Sequence, residues 1–497
     1  MFLRHCAPTW QSRWLGEVAN ECDVKVGAAN TTWQEMIDLH IAVAERVHSD
    51  LPGGRHLIGG PTAAYPQYQL RNFSNFATGM GQFIALAGPS IDFLSLHLYD
   101  SYQPDMDSDP GDYSPRSGNN LDAVLDLNEA YSYNQLGRVL PQLVSEYGSS
   151  FKVNNFTYSP THDWFILRGV NSKLLQFLER PDRLLKAIPF IVGKATWYPT
   201  MGEFFYPFTL WHLEQEGYNG KDQQWVETHL GKFYQLWERV TGSRVKATSS
   251  DANIQVAAFL SSQTLFVCLN NVRNNTARAV ISLPAFGSSA QVNVSRLFYN
   301  ASTMTPQLDQ TLFPMPTAET FNVSFLPEET AIFSFPLPSR ALAPTTIDIT
   351  TFYGSPTMVA AIPGSHLLFN MSAANLSGGS SRRQTIDHGF VRVSFSQQLQ
   401  SATESVVYPS FISVDGGSPL PVEPALQSAG RNMVDVHTLE FFGSLRVALP
   451  AATLLEMNTG DPAGKKHMVH VAFPEKCPST IVASVVLQTA GEQVELG

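Results

Sequence analysis

The stretch Pro141-Gln-Leu-Val-Ser-Glu-Tyr-Gly148 has the pattern of a buried β-strand that ends in a carboxylate. The apolar pair Leu143-Val144 precedes Ser145 and Glu146, and Gly148 allows the chain to turn away behind them. In a barrel of parallel strands that alternate with helices, side chains at the carboxyl ends of the strands meet at one mouth, where the chemistry takes place. We therefore expect this stretch to be the strand of a βα unit and Glu146 to lie at such a mouth.

Four further runs of the same character lie on both sides of this strand. They alternate with longer amphipathic segments, of which residues 32–49 and 225–240 have the apolar period of a helix. Their polar ends are roughly 40 to 50 residues apart, about the length of one βα unit with functional loops. This spacing predicts a parallel sheet within residues 14–240. The five runs are Leu15 to Glu21, His56 to Pro61, Ile91 to Asp100, Val139 to Gly148 and Ile188 to Pro199.

The pattern of apolar residues changes near Thr241, where helical periodicity stops. Short β-branched and aromatic runs separated by turn residues follow, and this pattern is typical of β-sandwiches. A proline-rich link around residues 336–344 divides these runs into two groups. We therefore expect a βα domain at residues 1–240, a β-sandwich domain at 241–340 and a second β-sandwich domain at 345–497.

The composition argues against several classes of protein. With 497 residues, of which 43% are apolar and 15% charged, the chain can bury two or three cores of ordinary size. Its net charge of -11 gives no electrostatic support to binding of nucleic acid or of an anionic membrane. No apolar run reaches the roughly 18 residues of a transmembrane helix. The cysteines and histidines lack the spacing of a metal site, so we predict neither a metal nor a cofactor.

Two glutamates at strand ends have the chemistry of glycoside hydrolysis. Glu21 ends the first run directly after Asn20, and Glu146 ends the fourth. Hydrolysis of a glycoside requires one carboxyl group that protonates the leaving oxygen and another that attacks the anomeric carbon or activates water. If the two runs are strands four and seven of a barrel, their carboxylates face each other across its mouth. Either glutamate alone would more often be a solvated charge at the rim.

Other strand ends supply side chains that suit a sugar. His97 and Tyr99 share one face of the third run because side chains alternate along a strand, and they can orient carboxylates or bind hydroxyl groups. Trp197, in the fifth run, can form an apolar platform under a pyranose ring. Taken singly, Asn20 could cap a turn, His97 could be a buried hydrogen-bonded residue and Trp197 could belong to the core. Four such ends in order favour the functional interpretation.

These motifs resemble glycoside hydrolase family 86, the β-agarases and β-porphyranases of clan A of the retaining glycosidases. The resemblance implies a TIM barrel in which Glu21 is the acid/base, Glu146 is the nucleophile, and Asn20, His97, Tyr99 and Trp197 contact the substrate. It also implies a secreted, monomeric endo-hydrolase that cuts β-1,4 linkages of an agar-type galactan polysaccharide, agarose or porphyran. The segments that carry it, within roughly residues 10–240, are Glu17-Val-Ala-Asn-Glu-Cys-Asp-Val-Lys25, Ser95-Leu-His-Leu-Tyr-Asp100, Ser145-Glu-Tyr-Gly148 and residues 171–198.

In that family the Asn-Glu pair follows the fourth barrel strand, so strands one to three, on the order of 100 residues, have no counterpart here. We therefore expect a partial (β/α)8 TIM barrel with strands 4–8, followed by two β-sandwich domains, in a chain truncated at its front together with its signal peptide. Two other functions stay open. One is a catalytically inactive carbohydrate-binding remnant, and the other is a different clan A glycosidase, such as a β-xylosidase or a β-galactosidase.

Overall fold

The structure is a computed structural model, and Trp197 lies outside the residues that it describes. The described residues are 13–25, 30–64, 66–105, 108–114, 116–151, 158–194, 208–213, 224–261, 264–283, 291–314, 320–337, 347–373, 384–401, 404–422, 434, 438–458 and 466–493.

A parallel sheet forms the first part of the molecule. Its strands are Trp14–Glu17 (β1), His56–Ala63 (β2), Phe93–Asp105 (β3), Ser108–Ser114 (β4), Gln142–Phe151 (β5) and Leu184–Pro189 (β6). The five strands β1-β2-β3-β5-β6 pair in parallel in that order, while β4 pairs antiparallel with the far end of β3. This sequential order is expected of βα units, because each crossover returns the chain beside the strand it has just left.

The predicted strands are confirmed in four cases, with shifted ends, and the fifth predicted run overlaps a strand only at residues 188–189. β1 ends at Glu17, so Asn20 and Glu21 lie in the connection that follows it rather than in the strand. β6 covers residues 184–189, where it pairs with β5; residues 190–194 lie beyond its end, and residues 195–199 lie outside the described residues.

Helices pack around the parallel sheet. The helix predicted at residues 32–49 is confirmed, and its start is fixed by a capping box in which Thr32 accepts from the backbone of Glu35 and Glu35 accepts from that of Thr32. The helix predicted at residues 225–240 is confirmed only at its centre, because residues 225–227 pair as a strand. None of the helices within the described ranges has the length and hydropathy needed to span a bilayer. The helices are Cys22–Lys25 (α1), Trp33–Asp50 (α2), Ser74–Thr78 (α3), Met80–Ala87 (α4), Asn119–Leu136 (α5), Pro160–Leu178 (α6) and Gly231–Trp237 (α7).

A two-stranded hairpin of Trp211–Leu213 (β7) and Trp225–Glu227 (β8) precedes two antiparallel regions. The first region consists of a six-stranded sheet, β14-β13-β16-β11-β10-β9, and a two-stranded sheet, β12-β15, whose inner faces share one apolar core. Its strands are Ser243–Val245 (β9), Ile254–Leu260 (β10), Thr264–Asn271 (β11), Ala277–Ser282 (β12), Gln291–Asn300 (β13), Thr305–Pro314 (β14), Thr320–Phe325 (β15) and Thr330–Pro336 (β16).

The second antiparallel region is a nine-stranded sheet with an apolar core of its own. Its strand order is β22-β21-β24-β19-β17-β25-β20-β23, with β18 paired to β25, and one helix, Ala451–Asn458 (α8), packs on it. The strands are Ile347–Ser355 (β17), Val359–Ala361 (β18), His366–Ala373 (β19), Gln384–Gln398 (β20), Phe411–Val414 (β21), Leu420–Pro421 (β22), Glu440–Ala448 (β23), His467–Ala472 (β24) and Thr480–Gln493 (β25).

Helix α5 is buried between the parallel sheet and the nine-stranded sheet, and its acidic residues hold the two together. Arg392 of β20 donates two hydrogen bonds to Asp126, at 2.7 and 2.8 Å. Arg180, just beyond α6, pairs with the same Asp126 and with Glu129. All four side chains are buried. Because a buried charge is costly without its partner, this network makes the C-terminal sheet an integral part of the fold.

Candidate active site

Three predicted site residues come together at the carboxyl ends of the parallel strands. Nδ1 of His97, on β3, lies 3.2 Å from Oε1 of Glu21 and 3.3 Å from Oε2 of Glu146, on β5. One side-chain oxygen or nitrogen atom of each residue lies within 4.8 Å of those of the other two. His97 is buried, with 1% of its side chain exposed, whereas both carboxylates reach solvent. The arrangement is a pair of accessible carboxylates bridged by a buried imidazole.

A β-bulge turns Glu146 toward this site. Leu96 pairs with Val144, but the next residue, His97, pairs with Glu146, so Ser145 is an extra residue in β5. The bulge allows Ser145 and Glu146 to contact the same face of the sheet, whereas strict alternation would place them on opposite faces. Bulges commonly re-aim side chains next to active sites. This is why Glu146 and His97 lie side by side.

Glu21 is held in an unusual backbone conformation between two anchors. Its φ is +51°, in the left-handed region that a residue with a side chain rarely occupies. On one side, the backbone N–H of Val18 donates to Gly59 of β2. On the other, the carboxylate of Asp23 accepts from the backbone N–H of Ala64 at 2.9 and 3.1 Å. Strained residues persist where the surrounding structure over-determines them, and they cluster at functional sites.

Tyr99 orients the second carboxylate. Its hydroxyl donates to Oε2 of Glu146 at 2.7 Å, and its ring packs edge-on against Phe190 and Phe208. A Cβ atom at Gly148 would lie 3.3 Å from the Tyr99 ring, so Gly148 allows this close approach. The expectation that Gly148 lets the chain turn away is therefore wrong, because β5 continues to Phe151.

A third carboxylate, the exposed Glu17, contacts residues of β2 and β5 next to this site and was missed by the sequence reasoning. Ser145 and Thr62 donate to its Oε1 at 2.8 and 3.1 Å. Since β2 and β3 stand between β1 and β5, the contact from Glu17 to Ser145 requires the sheet to curl around this face. The signal available in the sequence was a charged residue at the end of the otherwise uncharged strand Trp14–Glu17.

A fully buried ion pair supports the strands that carry the site. Asp100 directly follows Tyr99, and its carboxylate lies 2.7 Å from Nζ of Lys173 on α6. Lys173 also donates to the carbonyl of Gly148 at 2.9 Å, so one ammonium group ties β3 to β5. The helix approaches closely at Gly169, where a Cβ atom would lie 2.4 Å from Oγ of Ser149 and 2.7 Å from Oδ2 of Asp100. The ion pair thus stabilises the parts of β3 and β5 that carry Tyr99 and Glu146.

The remaining predicted residues have less defined positions. Asn20 is exposed and directly precedes Glu21 in the connection after β1. Its predicted contact with substrate stays a prediction, as does that of Trp197, which lies outside the described residues. By donor type, Glu21, His97 and Glu146 could also ligate a divalent cation. Acid–base and nucleophilic chemistry at two carboxylates requires no such ion.

Comparison with known proteins identifies relatives of this chain by sequence. The chain is 32% identical over 284 residues to a funoran endo-β-hydrolase of Wenyingzhuangia aestuarii, covering 56% of this chain and 37% of that protein. It is 32% identical over 235 residues to a β-agarase of Pseudoalteromonas atlantica, covering 47% of this chain and 45% of that protein. The chain thus spans less than half the length of these curated relatives. No protein-family model matches it.

The fold extends the likeness to almost the whole chain. A β-porphyranase of glycoside hydrolase family 86 from the human gut bacterium Bacteroides plebeius superimposes with a TM-score of 0.79 at 24% sequence identity. The alignment covers 97% of this chain and 79% of that structure, and so includes the antiparallel regions. The chain therefore has the fold of glycoside hydrolase family 86, as the resemblance of its motifs predicted. Its sequence relatives include a β-agarase, in agreement with that resemblance, and also a funoran endo-β-hydrolase.

Proposed function

We propose that this chain carries the catalytic carboxylates of a retaining endo-glycoside hydrolase that cuts β-1,4 linkages of an agar-type galactan. The observation that carries the proposal is the approach of Glu21 and Glu146 to within 4.8 Å, with His97 between them. Retaining glycosidases hold their two carboxyl groups about 5–5.5 Å apart, whereas inverting enzymes keep them about 6.5–9.5 Å apart to admit a water molecule. The short separation favours a covalent glycosyl-enzyme intermediate.

In the first step, Glu146 attacks the anomeric carbon while the bond from that carbon to the leaving oxygen breaks, and Glu21 gives its proton to that oxygen. In the second step, Glu21 takes a proton from water, which attacks the same carbon and releases Glu146. Because Tyr99 and His97 both contact Oε2 of Glu146, Oε1 is the oxygen that faces the sugar. Nδ1 of His97 contacts both carboxylates and so sets the distance between them.

The remaining parts of the proposal concern the surroundings of this pair. Asn20 hydrogen-bonds the hydroxyl group next to the anomeric carbon, and Trp197 lies under the pyranose ring. The parallel sheet corresponds to strands 4–8 of a partial TIM barrel within residues 1–240, followed by β-sandwich domains at 241–340 and 345–497. Because a polysaccharide is too large to enter a cell intact, we propose that the protein is secreted. We also propose that it acts as a monomer.

The substrate class is supported by the names of the relatives, which act on agarose, porphyran and funoran. The test is to assay the purified chain on agarose and porphyran beside Glu146→Gln and Glu21→Gln. We expect both variants to lose almost all activity and the wild-type products to keep the β configuration when first formed, as read by NMR. Glu475→Gln, a change of the same type at an exposed position of the C-terminal region, serves as control. Undiminished activity of Glu146→Gln would sink the proposal.

A second candidate follows from the chain's coverage of less than half of its curated relatives: a catalytically silent protein that binds galactan. That candidate predicts retention of the wild-type chain on immobilised agarose without release of reducing ends. A different clan A glycosidase would instead hydrolyse xylan or aryl β-galactosides faster than agarose, so these substrates belong in the same assay.

A further inference from the structure

Two tryptophans are exposed on one face of the β7–β8 hairpin. Trp211 is 44% exposed and Trp225 is 56% exposed. The register pairs Trp211 with Glu227 and Leu213 with Trp225, so both indoles project from the same face as diagonal neighbours. Diagonal neighbours of this kind lie roughly 7–8 Å apart, and their Cβ atoms lie somewhat closer. The opposite face carries His212, which is buried against the ring of Tyr158 at 4.3 Å, so the tryptophans lie on the face turned away from that packing. Nζ of Lys194 lies 6.0 Å from the centre of the Trp225 ring, and more than half of Trp225 stays exposed.

The hairpin rises from the rim of the carboxylate site. Residues 190–193 continue past the carboxyl end of β6, and Val192 pairs in parallel with Thr209. Phe208, which leads into β7, packs on Tyr99, the residue that holds Glu146. The chain then runs on to Trp211 in the direction of the parallel strands. Three extended residues span on the order of 10 Å. Trp211 therefore lies about 10 Å beyond Phe208, and Trp225, which pairs with Leu213, lies farther in the same direction.

Such a surface suits one kind of ligand. The flat face of an indole stacks on the C–H face of a pyranose ring, and its N–H can bind a hydroxyl group. Exposed large apolar side chains grouped on a rigid element mark binding sites more often than scattered ones do. A polysaccharide cut in mid-chain must continue over the rim on both sides of the cleaved bond, and this rim carries the two indoles.

We propose that Trp211 and Trp225 form an outer subsite that binds galactan units several residues away from the cleaved bond. This rests on the proposed function for the identity of the polymer. The subsite holds the substrate without touching the reacting atoms, so it lowers KM for long chains and leaves the chemical step unchanged. The KM for substrates too short to reach the rim does not depend on this subsite.

The test measures binding and hydrolysis separately. Trp211→Ala, Trp225→Ala and the double variant are titrated with a galactan octasaccharide in a Glu146→Gln background, where turnover does not interfere. We expect each single change to weaken binding roughly 5- to 10-fold, and the double change more. In the active chain, KM for polymer rises by a similar factor while kcat, and kcat/KM for the shortest cleaved oligosaccharide, stay within twofold. Trp14→Ala is the matched control. Trp14 is 73% exposed and lies at the amino-terminal end of β1, whereas the site lies at the carboxyl ends of the parallel strands.

Each outcome decides the proposal. Unchanged octasaccharide affinity in the double variant, with circular dichroism and melting temperature as in the parent, would overturn it. Trp-dependent self-association in sedimentation without any effect on sugar binding would overturn it as well and assign the face to a second copy of the chain. Trp-dependent binding in a chain that hydrolyses no galactan would uphold the subsite while refuting the proposed function. The two ideas can therefore fail independently.

Discussion

Replacement of Lys173 by Met should strongly destabilise the protein and displace the site. Nζ of Lys173 lies 2.7 Å from the carboxylate of Asp100, and both side chains are fully buried. Met has nearly the same length, so the change removes the charge and its hydrogen bonds with little loss of volume. Asp100 keeps its backbone donors, the N–H groups of Arg116 and Ser117 at 2.5 and 3.1 Å. What it loses is the compensating cation.

The magnitude follows from burial. Removal of one partner of a buried ion pair costs about 3–5 kcal/mol, because the other charge is left uncompensated in a medium of low dielectric constant. Loss of the hydrogen bond from Lys173 to the carbonyl of Gly148 contributes to the same total. Since Asp100 adjoins Tyr99 and Gly148 lies two residues after Glu146, relaxation around the vacated charge also shifts the catalytic oxygen atoms. A displacement of about 1 Å can cost 10²-fold in rate.

The assay is equilibrium unfolding in urea, followed by tryptophan fluorescence. We expect Lys173→Met to lower the free energy of unfolding by about 3–5 kcal/mol, and the double variant Asp100→Asn/Lys173→Met to recover part of that loss, since no charge then remains buried. Lys466→Met, the same change at an exposed lysine, should stay within about 0.5 kcal/mol of wild type. A loss below about 1 kcal/mol for Lys173→Met, or a double variant less stable than the single one, would refute the reasoning.

Three further predictions concern other parts of the molecule. Tyr99→Phe removes the 2.7 Å hydrogen bond to Glu146. Because hydrogen bonds to charged groups contribute about 1.5–3 kcal/mol, we expect kcat to fall roughly 10- to 100-fold with little change in KM. An unchanged kcat would contradict a role for this contact in catalysis. Burial raises the pKa of Asp163 from 3.8 to about 7, so its contribution to stability is present below pH 3.8 and is lost as the pH rises through 7. Asp163→Asn should therefore be more stable than wild type at pH 8, by up to about 4 kcal/mol, and this difference in stability should shrink toward pH 4. Thermal melts of both proteins at the two pH values measure it. An equal difference in stability at pH 8 and pH 4 would contradict the prediction. A chain that ends at residue 345 exposes the acidic face of α5 and removes Arg392 from Asp126, so we expect it to aggregate or unfold; a soluble, cooperatively folding product would show that the C-terminal sheet is a separable module.

The sequence by itself determined the features that depend on local patterns. Runs of apolar residues with polar ends predicted four of the five parallel strands, since burial on both faces of a parallel strand leaves a near-continuous apolar run. Alternation along one strand placed His97 and Tyr99 on the same face, and both contact the carboxylate of Glu146 in the structure. The apolar period of residues 32–49 likewise predicted α2, because helical periodicity is a local property of the sequence.

The tertiary structure alone decided the features that depend on contacts between distant parts of the chain. The bulge at Ser145 is a property of the pairing between β3 and β5, so alternation within β5 could not predict it. The fifth parallel strand begins at Leu184, four residues before the predicted run, because pairing with β5 rather than the apolar pattern selects its start. Glu17 joins the site through Ser145 only because the sheet curls. Lys173 looked like an ordinary helix residue, yet it pairs with Asp100 across 73 positions, because helix and sheet meet where Gly169 leaves room. Local periodicity specifies which side chains are buried, but the partner of a buried charge is specified only by packing, since Coulomb attraction depends on distance in space rather than along the chain.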